Sequence, residues 1–264
     1  MTEPATLLDR RLDFSDAFET GVLDPARWLR VYLPQWSSRA QSAPRYVFED
    51  GRLILQVAAD QEPWCPEWDG ATRVSSIQTG VFAGPLGSPI GQCHFRQDLV
   101  VREEQQPARL FTPRYGRIEL RAAAVADPEV MVALWMIGFE DAPERSGEIC
   151  ICEIFGRDIG PGSVRVGMGI HPFADPRLVD DFEQVELSID AVEPHTYAAE
   201  WTPDGVVFLV DDRIVKRTAQ SPDYPMQLML GVYEFSPTPG RAYPKRFVVD
   251  HVRGYAPLAN ETSG

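Results

Sequence analysis

An all-β sandwich, two antiparallel sheets stacked face to face, is the fold this sequence predicts. Three observations lead there. Twenty-three prolines and 20 glycines punctuate 264 residues, and such residues interrupt helical and strand pairing alike. The apolar residues fall in about a dozen short runs separated by turn residues, the pattern of a sandwich or barrel. Helical periodicity is scarce, and only 176–184 reads as a short helix. Large β-sandwiches reach roughly 200–250 residues as one unit. The chain is therefore read as a single domain over 1–264, with a core at about 14–256 and ragged ends at 1–11 and 258–264.

Residues 14–28 form an approach segment with a turn at Asp24-Pro25. Strands at 45–49 and 52–58 flank Asp50-Gly51, a strong hairpin signal. A loop at 61–70 carries Trp64 and Trp68. Strands follow at 75–82 and 95–101, with a loop at 84–91 between them. In 116–124, Ile118, Leu120 and Ala122 alternate with Glu119 and Arg121, the period of a strand with one buried face. The continuous apolar run 130–137 reads as a strand buried on both faces. After a polar loop at 141–147 comes Gly147-Glu-Ile-Cys-Ile-Cys-Glu-Ile-Phe-Gly156. Strands at 163–170, 182–189, 196–201, 206–210, 226–233 and 247–255 complete the set, with turns at 203–205 and Asp211-Asp212.

A formal charge of −14 argues against nucleic acid, because phosphate binding needs a positive surface. No apolar run approaches the ~18 residues of a membrane helix, so no membrane partner is expected. Residues 1–13 lack the basic start and apolar core of a signal peptide. The compartment is cytoplasmic for the sequence as written, and secretion would require a leader removed from it. Cys65, Cys93, Cys150 and Cys152 read as small buried residues rather than a disulfide framework or metal site.

The 147–156 stretch holds two carboxylates in an apolar setting. On a plain strand Glu148, Cys150 and Cys152 share one face, and Ile149, Ile151 and Glu153 share the other. One extra residue, a bulge, would bring Glu153 round to the face of Glu148. Two carboxylates facing one cleft are what glycoside hydrolysis needs.

Five landmarks in order resemble glycoside hydrolase family 16, the laminarinase and lichenase group. Tyr115-Gly-Arg-Ile-Glu-Leu-Arg121 is similar to the family's Tyr-Gly-x-x-Glu strand. Ala133-Leu-Trp-Met-Ile-Gly138 resembles the strand that brings a tryptophan into the cleft. Gly147 to Phe155 matches the longer catalytic motif, Glu-x-Asp-x-x-Glu. His195-Thr-Tyr-Ala-Ala-Glu-Trp201 resembles the His-x-Tyr-x-x-x-Trp strand. Val249-Asp-His-Val-Arg-Gly-Tyr255 resembles the closing strand. The resemblance covers about 14–256.

The resemblance implies a curved β-jelly-roll with an open cleft for a β-glucan, β-1,3 or mixed-linkage, and retaining hydrolysis without a cofactor. Glu148 would be the ionised nucleophile and Glu153 the protonated acid/base. Trp135 would be a sugar platform. Arg109, Tyr115, Trp64, Trp68 and His195 are candidate sugar contacts, with His195 and His171 as readily structural. Two residues depart from the pattern. Cys150 stands where the family has an Asp that hydrogen-bonds the nucleophile, and Met131 stands where laminarinases often carry Trp. The thiol raises the alternative of a glycan-binding protein with little or no catalysis. Asp250, with carbonyls near Gly51 and Glu19, matches the family's structural calcium site. A monomer is expected.

Overall fold

The computed structural model describes residues 10–238 and 240–257, so the ragged end read at 258–264 and residues 1–9 of the one read at 1–11 lie outside the described residues. Its strands are β1 (Leu12–Asp16), β2 (Arg45–Glu49), β3 (Arg52–Val57), β4 (Arg73–Gln78), β5 (Gly80–Val81), β6 (Ala108–Arg109), β7 (Gly116–Ala123), β8 (Val130–Gly138), β9 (Glu148–Phe155), β10 (Ile159–Gly160), β11 (Ser163–His171), β12 (Glu183–Leu187), β13 (His195–Thr202), β14 (Gly205–Val210), β15 (Arg213–Thr218), β16 (Met226–Glu234) and β17 (Lys245–Tyr255). One sheet runs β15-β14-β13-β7-β17-β3-β2, with β1 added on β17. The second runs β10-β11-β9-β8-β16-β4, with β12 on β11. Both are open and antiparallel, as the predicted jelly-roll sandwich requires.

The shared core follows from strand alternation. Ile118, Leu120 and Ala122 of β7 meet Val132, Leu134 and Met136 of β8 across the two sheets. The intervening residues of β8, Met131, Ala133, Trp135 and Ile137, face the other way. They are buried too, beneath Leu33, Trp36, Trp64, Leu99 and Val101 from loops over that face. A strand covered on both sides has no polar side, which is why 130–137 reads as a continuous apolar run. Each large apolar side chain so buried contributes roughly 1.5–3 kcal/mol.

Four readings change. Residues 95–101 form no strand; Leu99 and Val101 are buried while Phe95 and Val100 stay exposed. The loop is anchored by its apolar residues onto the second sheet instead of pairing. No helix forms at 176–184, because Asp181 exchanges backbone hydrogen bonds with Ile170 and draws the segment alongside β11. A strand the reading omitted, β15, follows Asp211 and Asp212, both at positive φ (47° and 61°), a tight hairpin from β14. Arg10, counted in the ragged end, is buried and paired with Glu200 at 3.4 Å.

Candidate active site

The predicted bulge is present in β9. Leu134 pairs with Cys152 and Trp135 with Cys150, which leaves Ile151 without a partner on β8. On the other side Gly167 faces Glu153 and Gly169 faces Cys150, so Met168 alone opposes two residues. Ile149 and Ile151 enter the inter-sheet core before the bulge, and Cys152 and Ile154 enter it after. Glu148, Cys150 and Glu153 therefore share the opposite face, beside Trp135 of β8.

Glu148 is buried, 7% exposed, and Glu153 is half-buried. Burial pushes the Glu148 carboxyl well above the usual range, and the nearby Glu153 and Asp180 charges push it further. Burial raises Glu153 as well, while His171 pulls it down. Among the described residues no hydrogen-bond donor meets either carboxylate. Burial thus raises both carboxyls, so the pair favours holding a proton over carrying two charges. Cys150 lies between them, fully buried, its thiol directed at the Gly167 carbonyl at 3.7 Å. Burial, then Glu153 and Glu148, keep that thiol neutral. It supplies no donor to Glu148.

An aromatic wall runs beside the pair. His171 faces Glu148 across the β9–β11 ladder. Its Nδ1 lies 3.0 Å from Asp180 Oδ2, and its ring stacks on Phe182 at 4.7 Å and meets Phe173 edge-on at 6.5 Å. Phe182 reaches Glu153 because β11 carries Gly167. A Cβ there would stand 2.4 Å from the Phe182 ring and 3.1 Å from Glu153 Cβ. Trp135 forms the floor, 7% exposed, its Nε1 donating to Tyr233 Oη at 3.1 Å. Met131 sits on the same floor, between Phe155 and Tyr233 in register.

The remaining candidates are each held by other partners. Trp64 is 2% exposed and donates Nε1–H to Asp69 at 2.5 Å, so it pins its loop. Trp68 is half-buried under the Arg102 guanidinium, 4.5 Å from the ring centroid. Tyr115 is buried in the core, its ring edge-on to Trp201 at 5.1 Å. Arg109 pairs with Asp141 at 2.6 Å and lies over the Phe139 ring. His195 belongs to the other sheet, its Nδ1 2.6 Å from Asp211 and its Nε2 3.2 Å from the Asp190 carbonyl. The reading missed Phe173, Phe182, Tyr233 and Glu140. Glycines inside the β11 run, Gly167 and Gly169, were the available signal, since glycine within a strand marks a close approach.

The calcium residues fit poorly. Gly51 does lie beside Glu19, with Glu19 Cγ 3.9 Å from where a Cβ would stand. Asp250, however, is paired with Arg121 at 3.2 Å. A guanidinium beside the single side-chain ligand opposes a dication that takes six or more oxygens. Among the described residues no group of three or more His, Cys, Asp or Glu gathers for a metal, and no helix is long and apolar enough to cross a membrane.

Known proteins resemble the chain in sequence and in fold. A curated beta-glucanase of Rhodothermus marinus is 27% identical over 188 residues, 58% of this chain and 63% of its own length, less than two thirds of that relative. A GlcNAcα1-4Gal-releasing endo-β-galactosidase from Clostridium perfringens superposes with a TM-score of 0.84 at 28% identity, over 100% of this chain and 67% of its own. The catalytic domain of an endo-1,3-β-glucanase (laminarinase) from Thermotoga petrophila shares the fold, with a TM-score of 0.62 at 20% identity over 94% and 98%. The profile of glycosyl hydrolases family 16 matches residues 109–243, the span that holds β7, β8, the bulged β9 and its partner β11. By that match over half its length, and by a sandwich whose bulge turns two glutamates onto one face, the chain belongs to the glycosyl hydrolases of family 16.

Proposed function

We propose that this chain is a retaining endo-glycoside hydrolase acting on a neutral β-linked glycan. The bulge at Ile151 carries the reading, because without it Glu148 and Glu153 would point to opposite faces. In the first step Glu148 attacks the anomeric carbon as the glycosidic oxygen takes the Glu153 proton. In the second, Glu153 takes a proton from water, which displaces Glu148 and restores the starting configuration. Burial of the pair suits it to hold one proton, since two close carboxylates in a dry site do not both ionise. The nucleophile has to be the ionised member, so in the reacting complex the shared proton sits on Glu153. A neutral Cys150 gives Glu148 no help in this, so turnover slower than that of relatives with Asp is expected.

A β-glucan is the first substrate class, in keeping with the name of the Rhodothermus marinus relative. A β-galactoside chain is the second. It is favoured by likeness to the endo-β-galactosidase over the whole chain and by Met131 in place of a laminarinase tryptophan. Reducing-sugar release from laminarin, lichenan, agar, carrageenan and poly-N-acetyllactosamine separates the classes. Release that vanishes in Glu148→Gln, with the β-anomer formed first by NMR, supports a retaining hydrolase. Saturable binding without release from any of them supports the glycan-binding alternative. Structural calcium has no role in this reading.

A further inference from the structure

Beyond the carboxylate pair, the same face ends in a cavity of about 580 Å³ lined by Ile90, His94, Glu140, Ser146 and Phe173, among others. That volume lies within the ~300–1,000 Å³ of small-molecule sites. Its place in the fold is tied to the pair. Ser146 precedes Glu148 by two residues, and Phe173 follows His171, the residue facing Glu148, by two. The Ala174 N–H donates to Ser146 Oγ at 2.9 Å and joins the two walls. Phe173 also continues the aromatic run from His171 and Phe182.

Glu140 is the unusual member. It is 8% exposed and lies in the left-handed region at φ 56°. One oxygen accepts the Cys93 N–H at 2.7 Å, and Cys93 is itself left-handed at φ 52°. Non-glycine residues held this way are disfavoured and persist where the surroundings dictate them. The second Glu140 oxygen takes no hydrogen bond among the described residues. That oxygen opens into the cavity beside His94, Gln97 and Ser146, where it is available to a ligand. Across from it Phe173 and Ile90 are exposed at 43% and 49%.

We infer that this cavity is a sugar subsite, in which Glu140 exchanges a hydrogen bond with one hydroxyl of a neutral pyranose and Phe173 packs on that sugar's apolar face. The inference rests on reading the adjoining cleft as a glycan cleft. Burial pushes Glu140 up to about 8, so near neutral pH it is mostly a carboxylic acid, able to donate as well as accept. A neutral hydroxyl suits that group better than a cation or an anion does. The subsite selects among chains by requiring a hydroxyl at the right place. A site built to hydrogen-bond a hydroxyl rejects the analogue lacking it far more strongly than an apolar pocket can.

The test uses the full chain carrying Glu148→Gln, in which cleavage is blocked. Laminarihexaose, a mixed-linkage glucan hexasaccharide and a poly-N-acetyllactosamine hexasaccharide are titrated by calorimetry. For the hexasaccharide that binds best, adding Phe173→Ala or Glu140→Ala is expected to weaken binding at least tenfold and to narrow the preference over the other two. If Glu140→Ala does not fold, Phe173→Ala decides, since its side chain is largely exposed. Unchanged affinity in the folded variants overturns the subsite, and so does the absence of binding by all three probes. If the parent chain releases no sugar from any polymer but binds a hexasaccharide in a manner lost with Phe173→Ala, the hydrolase reading falls and the subsite stands.

Discussion

Replacing Cys150 by Asp restores the residue that the motif carries in relatives, and the structure sets the size of the effect. Cys150 is fully buried between Glu148 and Glu153, with its thiol 3.7 Å from the Gly167 carbonyl. A carboxyl there is forced to keep its proton by burial and by two neighbouring acids. It becomes a hydrogen-bond donor within reach of Glu148, which has none. A hydrogen bond to a charged group is worth roughly 1.5–3 kcal/mol. If it holds Glu148 ionised, kcat should rise by roughly 10- to 100-fold. Stability should fall, because one more buried polar group costs about 1–3 kcal/mol. For a domain of this size each kcal/mol is about 2–4 °C in Tm. The sign with pH follows from the raised pKa. The new carboxyl is harmless below its unfolded value near ~3.9 and increasingly destabilising as pH climbs toward the folded one. The assay is kcat on the polymer cleaved in the panel, with Tm measured at pH 5 and pH 8. A folded Cys150→Asp protein that hydrolyses no faster than the parent refutes the view that the thiol limits turnover.

Gly167→Ala puts a methyl 2.4 Å from the Phe182 ring and 3.1 Å from Glu153 Cβ. Overpacking of about 1–3 kcal/mol and a loss of about 100-fold in kcat/KM from a displaced Glu153 are expected; parental Tm and rate together would contradict the close approach. Glu140, raised by burial from 4.5 to about 8, contributes stability that is present below pH 4.5 and lost as pH rises through 8. Glu140→Gln should therefore flatten the decline of stability between pH 5 and pH 9 by a few kcal/mol, and an unaltered slope in denaturant titrations would argue against that burial. His195→Ala removes a ring bonded to Asp211 and to the Asp190 carbonyl. It should lower stability by about 1 kcal/mol and leave hydrolysis as it was; a hundredfold loss of rate at unchanged Tm would return His195 to the site.

Much of the site was legible because its signals are local. The alternation in 116–124 and the continuous apolar run at 130–137 report how each strand is covered, through side chains a few residues apart. The carboxylates and Cys150 sit within six residues of one another. Their placement needed one extra residue, and the ladder on either side of β9 shows it at Ile151. The partners of Tyr115, Arg109 and His195 were not legible, because a residue type beside a motif does not state its partner. Each is held by a group distant in sequence: Trp201, Asp141 and Asp211. Residues 95–101 looked like a strand because roofing a sheet and joining one both call for apolar residues.

The sequence by itself determined the class of fold, the family and the strand that holds both acids, because periodicity and motif order are properties of the chain alone. Only the tertiary structure decided what surrounds those acids. Two glycines on β11 admit Phe182 beside Glu153, and loops from 33–36 and 93–101 cover the floor around Trp135. A buried glutamate outside the motif, Glu140, closes a cavity at one end. Proton affinity depends on burial and on charges brought near in space. That both motif carboxyls are raised was therefore decided by packing between segments that the chain keeps far apart.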